Sequence, residues 1–130
     1  IITYEHNMKK ILLVEDNEIM QKLIVSILEK EGYQVTMVTN GKDALSILEQ
    51  TSGAYDLIIT DIMMPYASGF EVLNKVAKLP GQKIPTIIVS SLSNEETILE
   101  GFKLGASDYL IKPIMAGELV LRVRRLLLQY

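Results

Sequence analysis

Five times along the 130-residue chain a short apolar run gives way to a segment of helical periodicity, and that alternation admits very few architectures. Ile11–Val14, Leu57–Thr60, Thr86–Val89 and Tyr109–Ile111 are nearly continuous in apolar or β-branched residues, as strands buried on both faces of a parallel sheet are. Tyr33–Val38 alternates in its outer part and reads as an edge strand. Between the runs, Asn17–Glu31 carries Ile19, Leu23, Ile24, Ile27 and Leu28 at helical spacing, with Gly32 as its stop. Asn40–Gln50 repeats the pattern with Ala44, Leu45, Ile47 and Leu48, and Gly53 opens the next turn. Ser68-Gly69-Phe70-Glu71 has the capping-box pattern for a helix through Leu79, and Ser93-Asn94-Glu95-Glu96 has it for a helix ending near Gly105. Met115–Tyr130 reads as the last helix. Five right-handed βα units predict an α/β doubly wound sandwich, with helices on both faces of a parallel sheet.

A 48% apolar composition over this length fills one core, so residues 8–130 are expected to form one domain. Ile1–Asn7 shows no period and is expected to be a tail or linker remnant, which makes His6, the only histidine, incidental. A net charge of −3 without a basic stretch argues against direct nucleic-acid binding. The absence of cysteine removes disulfides, thiolate metal sites and a cysteine nucleophile, and suits the cytoplasm. No apolar stretch approaches the ~18 residues of a membrane span.

The residues that close the runs carry the chemistry. Glu15 and Asp16 follow the first, Asp61 the third, Ser90 the fourth and Lys112 the fifth. In such sheets ligands bind beyond the carboxyl ends of the strands, so these groups should converge on one crevice. Any one of the acids alone would read as a cap or surface residue. Together they are three anions at neutral pH, and each pair at about 4 Å would cost up to roughly 4 kcal/mol at an effective dielectric of 20. A hard divalent cation offsets that charge; Mg²⁺ fits best, with Mn²⁺ as the alternative. Lys112 suits a phosphoryl oxygen and Ser90 adds a hydrogen-bond donor, so a carboxylate there could accept a phosphoryl group. Asp56 precedes its strand and belongs at the opposite edge, as a turn or cap.

Four ordered motifs then resemble the receiver domain of two-component response regulators: Val14-Glu15-Asp16-Asn17, Tyr55 through Pro65, Ile84 through Ser90, and Gly105 through Pro113. The resemblance implies a flavodoxin-like three-layer sandwich with strand order 2-1-3-4-5. It implies Asp61 as phosphoacceptor from a phosphohistidine on a histidine kinase or histidine phosphotransfer domain. Asp16 would ligate Mg²⁺ directly and Glu15 mainly through water, with the backbone carbonyl of Met63 completing the set. Lys112 would grip the phosphoryl group, Ser90 would swing toward it, Tyr109 would turn inward, and Lys112-Pro113 would be cis. Such a domain is a signalling phosphoacceptor that catalyses its own phosphorylation and dephosphorylation, not an enzyme acting on a separate substrate. Its output surface would be the fourth helix, fifth strand and fifth helix.

On the last helix, Leu119, Val123, Leu126, Leu127 and Tyr130 fall on the inner face, while Leu121 and Leu128 fall outside beside Arg124 and Arg125. With Asp108, Glu118 and Arg122, which resemble charges used in one receiver dimer class, they form the expected surface for an unidentified output partner or a second copy. Ile98 stands where that class has a lysine, so the homodimer is left open. A flavin carrier would need a Ser/Thr/Gly-rich phosphate loop where this chain has Glu15-Asp16-Asn17-Glu18. A phosphatase with an aspartate nucleophile would want an acid at Met63, and a non-phosphorylated receiver-like module would lack an acid or the lysine.

Overall fold

The computed structural model describes residues 8–50, 54–64, 66–81 and 83–128. Its elements alternate throughout: β1 (Lys10–Val14), α1 (Glu18–Lys30), β2 (Gln34–Val38), α2 (Gly41–Gln50), β3 (Leu57–Thr60), α3 (Gly69–Lys78), β4 (Thr86–Ser90), α4 (Glu95–Lys103), β5 (Asp108–Ile111) and α5 (Ala116–Leu127). The strands form one parallel sheet in the order β2-β1-β3-β4-β5. Strand order reverses at β1, so the helices leaving β1 and β3 depart to opposite faces and a crevice opens between their carboxyl ends. β2 is an edge strand, as its alternation implied.

Both faces are covered. Ile11, Leu13, Leu57, Ile59, Ile87 and Val89 point to one side and pack on Ile24 and Leu28 of α1 and Leu119 and Val123 of α5. Leu12, Val14 and Ile58 point to the other and pack on α2 and α3, while Ile88 and Tyr109 join Leu73 of α3 and Ile98 in a smaller cluster under α4. The period of two along each strand sends alternate residues to opposite layers, which is why the runs had to be apolar throughout.

Two expectations are corrected. Ile19 and Leu23 do not belong to the inner stripe of α1 but are exposed, and the buried positions are Gln21, Ile24 and Leu28. Residues 21, 24 and 28 share one face at 100° per residue, and polar Gln21 is accepted there because its side-chain amide donates to the Glu15 carbonyl at 2.7 Å. At α4 the N-cap is Asn94 rather than Ser93, and no side chain caps it. Glu95 and Glu96 in its first turn favour that end of the helix electrostatically without a hydroxyl cap. At α3 the expected cap is present: Ser68 Oγ accepts from Glu71 N. Asp56 also sits where expected, accepting from Lys10 N at 2.8 Å at the amino edge of the sheet. His6, Gly53 and Tyr130 lie outside the described residues. No helix among the described residues is long and apolar enough to cross a membrane.

Candidate functional site

The sheet's hydrogen-bond ladder runs one residue past three of its strands, and that extra bond places the site. Glu15 N donates to Val38 O at 3.1 Å, Asp61 N to Val14 O at 3.1 Å, and Lys112 N to Ser90 O at 2.8 Å. All three backbones are therefore held by neighbouring strands rather than by loops. Rigid elements hold reacting groups to tighter tolerances than loops do.

Carboxylate oxygens of Glu15, Asp16 and Asp61 lie within 4.8 Å of one another. Lys112 Nζ stands 2.9 Å from Asp61 Oδ2 and 3.2 Å from Glu15 Oε1. Asp61 Oδ1 accepts from Ile62 N at 2.6 Å and from Met63 N at 3.4 Å, while Glu15 Oε2 accepts from Asn17 N at 3.1 Å. Glu15 and Asp61 are buried and Asp16 is exposed. One ammonium against three carboxylates leaves net negative charge facing the crevice. The donor set is all carboxylate oxygen, which suits a hard cation such as Mg²⁺ and not a soft one.

Burial pushes the Glu15 carboxyl above its ordinary value; the Asn17 N–H and Lys112 pull it back only in part, and Asp61 adds to the rise. A carboxyl whose folded pKa is raised binds its proton more tightly in the folded chain, so ionising it costs stability. The cost is absent below the ordinary 4.5, grows as pH rises through the raised folded value, and is complete above it. Glu15→Gln in chelator-treated protein is therefore expected to raise the thermal midpoint at pH 7 and to give no gain near pH 4. A gain that is equal at both pH values, in paired melting curves, would contradict this assignment.

Ser90 and Tyr109 meet at a residue that the sequence pattern did not single out as their shared partner. Ser90 Oγ accepts from Leu92 N at 3.1 Å, and Tyr109 OH donates to Leu92 O at 2.6 Å. Tyr109 is turned inward and buried. The Lys112-Pro113 peptide is cis.

On the far side, Asp108 accepts from Arg122 at 3.1 Å and Arg125 at 3.3 Å, and Glu118 pairs with Arg122 at 3.5 Å. The charges that resembled contacts between copies are thus closed within one chain. Leu121 and Leu128 are exposed as expected. Arg124 is set apart from this group: it reaches Glu31 beyond the end of α1 at 2.8 Å. Gln21 was missed as a site residue; a polar side chain at the inner spacing 21, 24, 28 was its only signal.

Comparison with known proteins agrees with this geometry. Residues 11–124 match the family described as response regulator receiver domain. The chain is 38% identical over 120 residues to the transcriptional regulatory protein PcoR of Escherichia coli, covering 92% of this chain and 52% of that one. It is 38% identical over 120 residues to the response regulator SaeR of Staphylococcus epidermidis, covering 92% and 51%. The chain thus spans about half the length of these curated relatives. Among solved structures, the receiver domain of the Francisella response regulator 1452 superposes with a TM-score of 0.82 at 37% identity, covering 92% of this chain and 96% of that one. The chemotaxis response regulator CheY4 of Vibrio cholerae gives 0.82 at 28% identity, covering 92% and 98%. With the expected strand order, the clustered acids and the lysine in place, the chain belongs to the response regulator receiver domain family.

Proposed function

We propose that Asp61 is the phosphoacceptor of this receiver domain and takes a phosphoryl group from a phosphohistidine on a histidine kinase or histidine phosphotransfer domain. The observation that carries this reading is Lys112 Nζ, 2.9 Å from Asp61 Oδ2 and shared with Glu15, in a cluster that includes Asp16. Backbone N–H groups tie down Asp61 Oδ1 and leave Oδ2, beside the ammonium, to make the new bond. As the Oδ2–phosphorus bond forms, the phosphorus–nitrogen bond breaks and the imidazole leaves with its electron pair. Lys112 is placed to stay with the phosphoryl oxygens throughout. Mg²⁺, or Mn²⁺ in its place, would be held by Glu15, Asp16, Asp61 and the Met63 carbonyl. When bound, it supplies the positive charge that the acids and the incoming phosphoryl group call for. The same groups would serve hydrolysis, in which a water oxygen bonds to phosphorus and the Oδ2–phosphorus bond breaks, returning its electron pair to the Asp61 carboxylate.

Ser90 Oγ, on leaving Leu92 N for a phosphoryl oxygen, would release the backbone that Tyr109 also holds. That links the charge at Asp61 to the α4–β5–α5 surface, where Asp108, Glu118, Leu121, Arg122, Arg125 and Leu128 would meet an output partner or a second copy. Residues 8–130 would act as one unit in the cytoplasm, without contacting nucleic acid themselves.

Incubation with acetyl phosphate and Mg²⁺ is expected to add the mass of one phosphoryl group, as an acid-stable and base-labile adduct. Asp61→Asn should acquire none, and an adduct persisting in that variant would place the acceptor elsewhere.

A further inference from the structure

The four most exposed large apolar side chains among the described residues all lie at the carboxyl edge of the sheet. They are Tyr66 at 82%, Ile19 at 78%, Met115 at 66% and Met63 at 65%. Ile19 is in the first turn of α1, Met63 and Tyr66 are in the β3–α3 loop, and Met115 caps α5, so they rim the acidic site. Tyr66 carries a second oddity. At φ 74° it is the one non-glycine residue with positive φ among the described residues. That region strains an L side chain, and glycine or asparagine would hold the same turn with less strain. With its ring in solvent, burial within this chain cannot account for keeping a tyrosine there. Strain retained without a local return points to function.

We propose, on the reading of Asp61 as phosphoacceptor, that Tyr66 is a recognition residue for the phosphohistidine-bearing protein that delivers the phosphoryl group. The phosphorus must come within about 3.5 Å of Asp61 for transfer. Gly69 N donates to Ile62 O at 2.9 Å and closes the loop on itself, so Tyr66 stays close to the acceptor. Five residues of chain span at most about 17 Å. A protein donor with a footprint of about 800 Å² centred on Asp61 therefore covers this loop, whereas a small phosphodonor does not. Exposed tyrosine is among the side chains best suited to such a contact, because it offers a large rigid area with little rotamer freedom to lose. Tyr66 acts through docking and takes no part in the bond-making step.

The test compares two donors on three proteins. One donor is acetyl phosphate. The other is the fastest to the wild-type chain among purified, prephosphorylated histidine kinase cores and phosphotransfer domains of the source organism. Tyr66→Asn tolerates the turn but lacks the ring, and Tyr66→Phe keeps it. With the protein donor, Tyr66→Asn is expected to lose tenfold or more in transfer efficiency, mainly through a higher half-saturating concentration, while Tyr66→Phe stays near wild type. With acetyl phosphate all three should react alike, and Tyr66→Asn should melt no lower than wild type. Equal protein-donor rates, a matching loss with acetyl phosphate, or a wild-type chain that accepts acetyl phosphate but no protein donor would each overturn the proposal. Failure of the wild-type chain to react with acetyl phosphate would sink the Asp61 reading instead.

Discussion

Lys112→Ala is expected to slow phosphorylation of Asp61 by two to three orders of magnitude and, in the absence of Mg²⁺, to destabilise the fold by roughly 3 kcal/mol. The rate effect follows from position. Lys112 Nζ lies 2.9 Å from Asp61 Oδ2 on a backbone pinned to Ser90, so its charge is in place before negative charge builds on the transferring oxygens. A preorganised charge of this kind typically contributes 10²–10³ in rate. The stability effect follows from what is left behind. Burial works against the Lys112 ammonium, yet the hydrogen bond and charge of Asp61, and then Glu15, outweigh it and raise its pKa above the ordinary 10.5. A cation with a raised folded pKa contributes stability that is fully present below the ordinary value and lost only as pH rises through the folded one. At neutral pH the contribution is therefore whole, and truncation leaves two buried carboxylates facing each other. Thermal melts with chelator and with Mg²⁺ should show the deficit shrinking in Mg²⁺, while the acetyl phosphate rate in Mg²⁺ stays depressed. A variant within threefold of wild-type rate would remove Lys112 from the transfer step.

Gly69→Ala is expected to destabilise the domain by about 3 kcal/mol and to impair phosphorylation with it, although it changes no charged group. A methyl group at position 69 would overlap the Asp61 carbonyl oxygen and stand 2.9 Å from Ile62 Cα. Both obstacles are backbone, so rotamer changes cannot relieve them. Either the start of α3 retreats or the residues at Asp61 and Ile62 shift, and the second moves the proposed acceptor itself. Gly117→Ala, with nothing within 4 Å of the added carbon, is the control, and should be neutral or stabilising by up to about 1 kcal/mol in α5. Chemical denaturation of both variants, beside their rates with acetyl phosphate, separates overlap at the acceptor from a general glycine effect. Equal stability of the two would mean that α3 yields freely.

Much of the site was legible because a parallel sheet makes it so. Once the apolar runs are strands, the residues just after them share one edge by topology, whatever their identities. Glu15, Asp16, Asp61 and Lys112 could be assembled on paper for that reason, and the Ser68 cap announced α3 just beyond Asp61. The inner face of α1 was misread because hydrophobicity alone was counted. Ile19 and Leu23 are apolar yet exposed, while Gln21 is polar yet buried. What decided between them was the Glu15 carbonyl waiting for a donor, a partner six residues away in sequence and just beyond β1.

The order of apolar and helical periods by itself determined strand count, layer arrangement, the acid-bearing edge and the edge position of β2, because those depend on local periodicity and on the fixed hand of the crossovers. Only the tertiary structure decided which of two adjacent acids is buried, that Lys112 bridges Glu15 and Asp61, and that Tyr109 already faces inward on Leu92. It alone turned Arg122 and Arg125 onto Asp108 and set Tyr66 in a left-handed turn in the loop after Asp61. Those outcomes turn on distances of a few ångströms between groups far apart along the chain, and no local pattern encodes such distances.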